Sequence, residues 1–290
     1  RLGVGAFALA LLLAGAEPEE LATVIAASLR GAPGIAFGDI IGSNVAMCLV
    51  ALGLGAALMP LPFSRRVFMY ALAAVPVSIL SVGLVWDGEL SRIEGAVLVG
   101  LYVVYVAAIW WFERAPPVLG EVEELIEAEE ELSAVPVAAR PRRGGIEMGL
   151  VFAGLAAMAV GALVLVEAVR QMSGVEETQT KLGLTVVGFA TAFELVMLVW
   201  SAVRRGSTDI ALAGVVGSFG YNMTMSLGAG AFVAPIEVKD AASLHVPALV
   251  VVGLFIGVIA LAAPTRRLER LTGIALLAGY PAFVLFVVAS

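Results

Sequence analysis

Polar residues divide this chain into apolar runs of roughly the 20 residues that a helix needs to cross a bilayer. The pattern predicts nine spans, at about 2–29, 35–61, 67–86, 93–112, 147–169, 182–203, 208–235, 246–264 and 271–289, all helical by their length. One long hydrophilic stretch, 114–145, separates the fourth span from the fifth. It carries Pro116, Pro117, Pro136 and Pro141 and has room for a short helix over 119–132, but not for a soluble domain.

Charge refines this layout. Twelve of the 17 Lys and Arg residues (Arg1, Arg65, Arg66, Arg114, Arg140, Arg142, Arg143, Arg204, Arg205, Arg266, Arg267 and Arg270) fall on one side if the nine spans alternate. Arg30, Arg92, Arg170, Lys181 and Lys239 fall on the other. Basic loops stay cytoplasmic, so 114–145 is expected to be a cytoplasmic linker. With 61% hydrophobic and 14% charged residues, the chain is a multi-pass protein whose solvent is mostly lipid. Its net charge of −7 says little, because seven acids crowd into the linker at Glu121, Glu123, Glu124, Glu127, Glu129, Glu130 and Glu131. That run lacks the spacing of a calcium loop and reads as a solvated face. One cysteine, Cys48, and one histidine, His245, exclude a Cys/His metal cluster. Neither a nucleic-acid partner nor an enzymatic activity is expected.

The chain also resembles itself. A shift of 175 residues aligns Glu19 with Glu194, Arg30 with Arg205, Gly31 with Gly206, Gly42 with Gly217, Ser43 with Ser218 and Gly53 with Gly228, without a gap across 19–56. Five spans separate the two acids, so the repeats run in opposite directions through the membrane. The expected organisation is a first repeat over 1–113, the linker over 114–145 and a second repeat over 146–290. Four spans against five predict one further helix ahead of Arg1.

Each half places an acid inside an apolar span and follows it with a glycine-rich opening of the next span. These openings are Gly38-Asp39-Ile40-Ile41-Gly42-Ser43-Asn44 and Gly214-Val215-Val216-Gly217-Ser218-Phe219. Glycine and small residues let a membrane helix break, and freed carbonyls and hydroxyls can replace the water around a cation. A carboxylate in hydrocarbon is costly and therefore a candidate for function. Other polar positions have plainer readings. Asp39 could ligate, carry protons or cap a helix; Asn44 and Asn222 could join helices; Glu167 and Arg170 read as an interfacial pair; and His245 reads as solvated in an external loop.

These residues resemble the calcium/cation antiporter superfamily, the sodium/calcium exchanger-like membrane proteins. Glu20-Leu21-Ala22-Thr23 and the motif from Gly38 to Asn44 match the family's first repeat. Thr191-Ala192-Phe193-Glu194-Leu195 and Gly217-Ser218-Phe219-Gly220-Tyr221-Asn222 match its second more weakly. The resemblance implies an all-α bundle of two inverted five-helix repeats in an inner membrane. It also implies alternating access around paired glutamates and a cation site drawn from Glu19, Glu20, Ser43, Asn44, Thr191, Glu194, Ser218 and Asn222, with Asp39 possible. Family spacing favours Glu20 as the first-repeat ligand and the internal register favours Glu19.

The implied partners are the lipid bilayer and inorganic cations, with no cofactor beyond the transported Ca²⁺, Na⁺ or H⁺. The chain departs from the family pattern at Asp39, Met47, Ala190 and Phe219, where oxygen donors are lost or exchanged. Phe219 is expected to fill part of the ion's space. Two alternatives therefore stand beside cation antiport: a cation/proton antiporter, and a degenerate non-transporting scaffold or partner subunit.

Overall fold

The computed structural model describes residues 17–113, 144–206 and 208–289. Among them are nine helical runs: α1 (Pro18–Leu29), α2 (Pro33–Leu58), α3 (Arg65–Leu84), α4 (Arg92–Glu113), α5 (Gly144–Met172), α6 (Glu176–Arg205), α7 (208–233), α8 (Ala242–Ala262) and α9 (Arg270–Ala289). They correspond to the nine expected spans. Seven are long and apolar enough to cross a membrane, and α1 is described over 12 residues only. The short helix expected over 119–132 lies outside the described residues.

Helix ends differ from the apolar runs where polar residues join a helix. Glu176–Leu182 forms the first turns of α6, six residues ahead of the expected start. Helix α8 begins at Ala242, so His245 sits in its second turn rather than in a loop. Its ring stacks on Trp86 at 4.2 Å, and its Nε2 lies 2.8 Å from the Trp86 carbonyl. Helix α5 starts at Gly144, two residues before the expected repeat boundary.

Four two-residue strands tie the helix ends together. They are β1 (Leu61–Pro62), β2 (Glu89–Leu90), β3 (Ile236–Glu237) and β4 (Arg267–Leu268). Strand β1 pairs antiparallel with β4, and β2 pairs with β3. In each case the first strand of one repeat meets the second strand of the other.

Close packing obeys the same exchange. A Cβ on Gly228 would come within 2.7 Å of the Gly95 carbonyl oxygen, and one on Gly273 within 2.7 Å of the Gly53 carbonyl oxygen. Gly55 is occluded by Val199, as Gly230 is by Val24, and both pairs match at the 175 shift. Such reciprocal contacts between the halves are those that an inverted repeat makes. The core gathers where α1, α2, α6 and α7 converge. The outer face of α5 is largely exposed, as a lipid-facing helix should be.

The glycine motif does not break α2. Pro33–Ala46 is a regular helix, and the change comes later, in a π-helical segment at Met47–Ala51. Helix α7 has its π segment at Asn222–Ser226, again shifted by 175. A third, Gly183–Val187, lies in α6. The glycines of α2 bring backbones together instead. A Cβ on Gly38 would sit 2.8 Å from Gly183 Cα, and Gly42 lies against Leu184 with no room for a side chain.

Candidate cation site

Helix α1 carries the first acids because Pro18 starts it. Proline suits the first helical position, and Glu17 precedes it in a non-helical conformation (φ −116°, ψ 85°). Successive helical residues point about 100° apart, which separates Glu19 from Glu20. Glu20 falls on the buried face with Thr23, Val24 and Ala27 and is 0% exposed, whereas Glu19 is half-buried. Glu17, just outside the helix, turns inward and is 6% exposed. The three carboxylates lie within 4.8 Å of one another. Ser218 Oγ, from α7, donates to Glu17 Oε1.

Glu19 also faces outward, into a cleft of about 400 Å³ between α1, α5 and α6 that is lined by Thr23, Thr191 and Glu194 as well. Glu194, expected deep in its span, is exposed on this cleft. The reason is local. Regular helix stops at Thr191, Ala192 bends the backbone (ψ −9°), and the helix then restarts with Leu195, Val196 and Val199 inward, which leaves Phe193 and Glu194 facing out.

The α2 motif is fully buried. Asp39 accepts a hydrogen bond from Thr191 Oγ1 at 2.8 Å, joining α2 to α6, and its second oxygen has no hydrogen-bond partner. It caps nothing, since the N-cap of α2 is Ala32. Ser43 Oγ and Asn44 Nδ2 both donate to the Ile40 carbonyl of their own helix, at 3.3 and 2.7 Å. Asn44 therefore does not join helices through its amide, and its Oδ1 has no hydrogen-bond partner. Asn222 opens the α7 π segment, and its Oδ1 accepts from Ser226 at 3.1 Å. Phe219 is fully buried, and its ring is stacked on Phe255 of α8 at 3.8 Å, an apolar partner the sequence did not disclose.

The structure thus gathers Glu19, Glu20 and Ser218 around Glu17, and sets Thr191 and Glu194 on the cleft beside Glu19. Sequence reasoning left Glu17 out of the ligand set. The signal was present in its position, because Glu17 directly precedes the Pro18 that starts α1 and lies within three residues of both candidate acids.

No Lys, Arg or His occurs in 17–29, 33–58 or 208–233. Ion pairs form at helix ends, where Glu167 meets Arg30 at 2.8 Å and Arg170 at 3.3 Å, and Glu177 meets Lys181 at 2.9 Å. The first two bear out the interfacial reading of Glu167. The buried acids have no such partner on their own helices.

An inverted-repeat bundle of membrane-spanning helices with buried acids at its centre is the architecture of a membrane transport protein. The chain belongs to the sodium/calcium exchanger protein family, whose signature matches residues 3–111 and 146–289. It is 26% identical over 236 residues to inner membrane protein YrbG of Escherichia coli (strain K12), covering 79% of this chain and 69% of that one. It is 27% identical over 315 residues to sodium/calcium exchanger MaX1 of Methanosarcina acetivorans, covering 98% and 89%. Its fold matches a solved structure of the sodium-calcium exchanger NCX_Mj with a TM-score of 0.62 at 20% identity, over 98% of this chain and 86% of that one.

Proposed function

We propose that this protein is a cation antiporter in which the acids of α1 and Glu194 of α6 bind the exchanged ions in turn. Helices of the two repeats would move around the site to open it to one side and then the other. The observation that carries this reading is Glu20. Its side chain is fully buried, neither carboxylate oxygen has a hydrogen-bond partner, and its own helix offers no basic residue. A charge so placed costs several kcal/mol unless a partner arrives, and a mobile cation is such a partner. Competition for shared carboxylates then gives exchange, because the empty, charged site is too costly to reorient.

Names of relatives support sodium and calcium as the ions, since MaX1 and NCX_Mj are both described as sodium/calcium exchangers. Exchange of a cation for protons is the second reading. It is favoured by Met47 and Phe219, buried apolar side chains where the family pattern supplies oxygen donors. A non-transporting scaffold fits less well, because buried acids with no task would be a pure cost to the fold.

Full-length protein in proteoliposomes tests this reading. Calcium uptake is followed under an outward Na⁺ gradient and, separately, under a pH gradient. Glu194→Gln keeps the volume of the side chain and removes the charge beside Glu19, so flux should fall by about tenfold or more, the equivalent of roughly 1.4 kcal/mol. Wild-type flux in that variant would sink the role given to Glu194.

A further inference from the structure

Glu17 has no counterpart in the second repeat, where the 175 shift places Ala192. We propose that Glu17 is a third carboxylate ligand of the cation site and that its charge makes the site prefer a divalent over a monovalent cation. This rests on the antiport reading above and adds the substrate class to it.

Geometry carries the case. Glu17 does not serve as a side-chain cap for α1, although it stands at the N-cap position. Its carboxylate turns into the protein, meets Ser218 of the other repeat, and shares a 4.8 Å neighbourhood with those of Glu19 and Glu20. The fully buried Glu20 carboxylate, without a hydrogen bond on either oxygen, belongs to the same neighbourhood, so the cluster is not an exposed acidic patch. Three carboxylates and a hydroxyl present up to seven oxygens, within the six to eight that Ca²⁺ takes. Glu17 thereby returns oxygen ligands that Met47 and Phe219 removed.

Charge decides the preference. Three carboxylates this close repel one another, and each bound positive charge relieves that repulsion in proportion to its size. A divalent ion offsets two of the three charges where Na⁺ offsets one. Replacing Glu17 by a neutral side chain should therefore cost a divalent ion more than a monovalent one.

The experiment measures Ca²⁺ binding to the full-length protein in nanodiscs by calorimetry, and Na⁺ binding by competition. Glu17→Gln should weaken Ca²⁺ by about tenfold or more and Na⁺ by clearly less, lowering the ratio of affinities. Glu17→Asp, which keeps the charge, should retain most of the preference and serves as the readout if the Gln variant does not fold. Ser218→Ala removes a neutral oxygen and no charge, so it should weaken Ca²⁺ and Na⁺ by similar factors and move the ratio much less than Glu17→Gln does. Equal losses for both ions in Glu17→Gln, loss of the preference in Glu17→Asp, or a ratio shift reproduced by Ser218→Ala would overturn the proposal and leave Glu17 an anchor for α7. Absence of any cation binding by the wild type would instead overturn the antiport reading on which it rests.

Discussion

At the scale of single residues, Glu19 and Glu20 both bury carboxylate oxygens that have no hydrogen-bond partner, but only Glu20 is closed off entirely, since Glu19 borders the cleft. A buried charge without a partner destabilises the fold, so Glu20→Gln should raise the thermal stability of cation-free protein by about 1–3 kcal/mol while abolishing most of the further stabilisation by added cation. Glu19→Gln, whose oxygens are also buried but whose side chain borders the cleft, should raise the cation-free stability by a smaller amount. Unfolding curves with chelator and with Ca²⁺ test this, and equal shifts in the two variants would contradict it. The acids themselves were legible in the sequence, because carboxylates in apolar spans are rare enough to single out. Their partners were not. Thr191 reaches Asp39 across 152 residues, and Phe219 finds Phe255 by packing alone. Glu194 shows the limit most clearly, since position along a span says how deep a residue lies but not which way a bent helix turns it.

Among the elements, the contact between α2 and α6 depends on missing side chains. Gly38 lets the Gly183 backbone approach, and the Asp39 to Thr191 hydrogen bond lies just beyond, so the approach sets the distance between two candidate ligands. Gly38→Ala would place a methyl 2.8 Å from Gly183 Cα and should destabilise the protein by about 1–3 kcal/mol, with loss of transport. Gly100→Ala on α4 meets open space and should be neutral or slightly stabilising. Denaturation midpoints of both variants in the same detergent decide the matter. A neutral Gly38→Ala would mean that the two helices part easily. Reading the sequence, the same glycines suggested a broken helix. Local propensity cannot tell a glycine that frees a backbone from one that admits a neighbour, because only the neighbour makes the difference.

For the whole molecule, the strand pairs fix which connections share a membrane face. Leu61 pairs with Leu268, and Leu90 with Ile236, so the connections after α2 and α8 lie together and those after α3 and α7 lie together on the opposite face. Cys48 is fully buried and gives no labelling background. Cysteines introduced at Ser64 and Thr265 should react with an impermeant maleimide only after the membrane is opened, because they lie on the Arg-rich side expected to face the cytoplasm. Cysteines at Asp87 and Lys239 should react in intact cells. Reaction of both pairs from the same side would refute the inverted arrangement.

The repeat was legible from the 175-residue shift, but the contacts between its halves were not, because identities in sequence do not say how two halves are docked. The matching π segments at Met47–Ala51 and Asn222–Ser226 carry that symmetry into history. A π segment accommodates one extra residue in a helix, and two independent insertions would have had to land at the same register. The bulge is therefore an inheritance from before the ancestral half was duplicated. Glu17, Glu20 and Asp39, which face Ala192, Leu195 and Gly214 at the same shift, record what happened afterwards. The matched π segment is the older feature, and the uneven share of acids is the younger one.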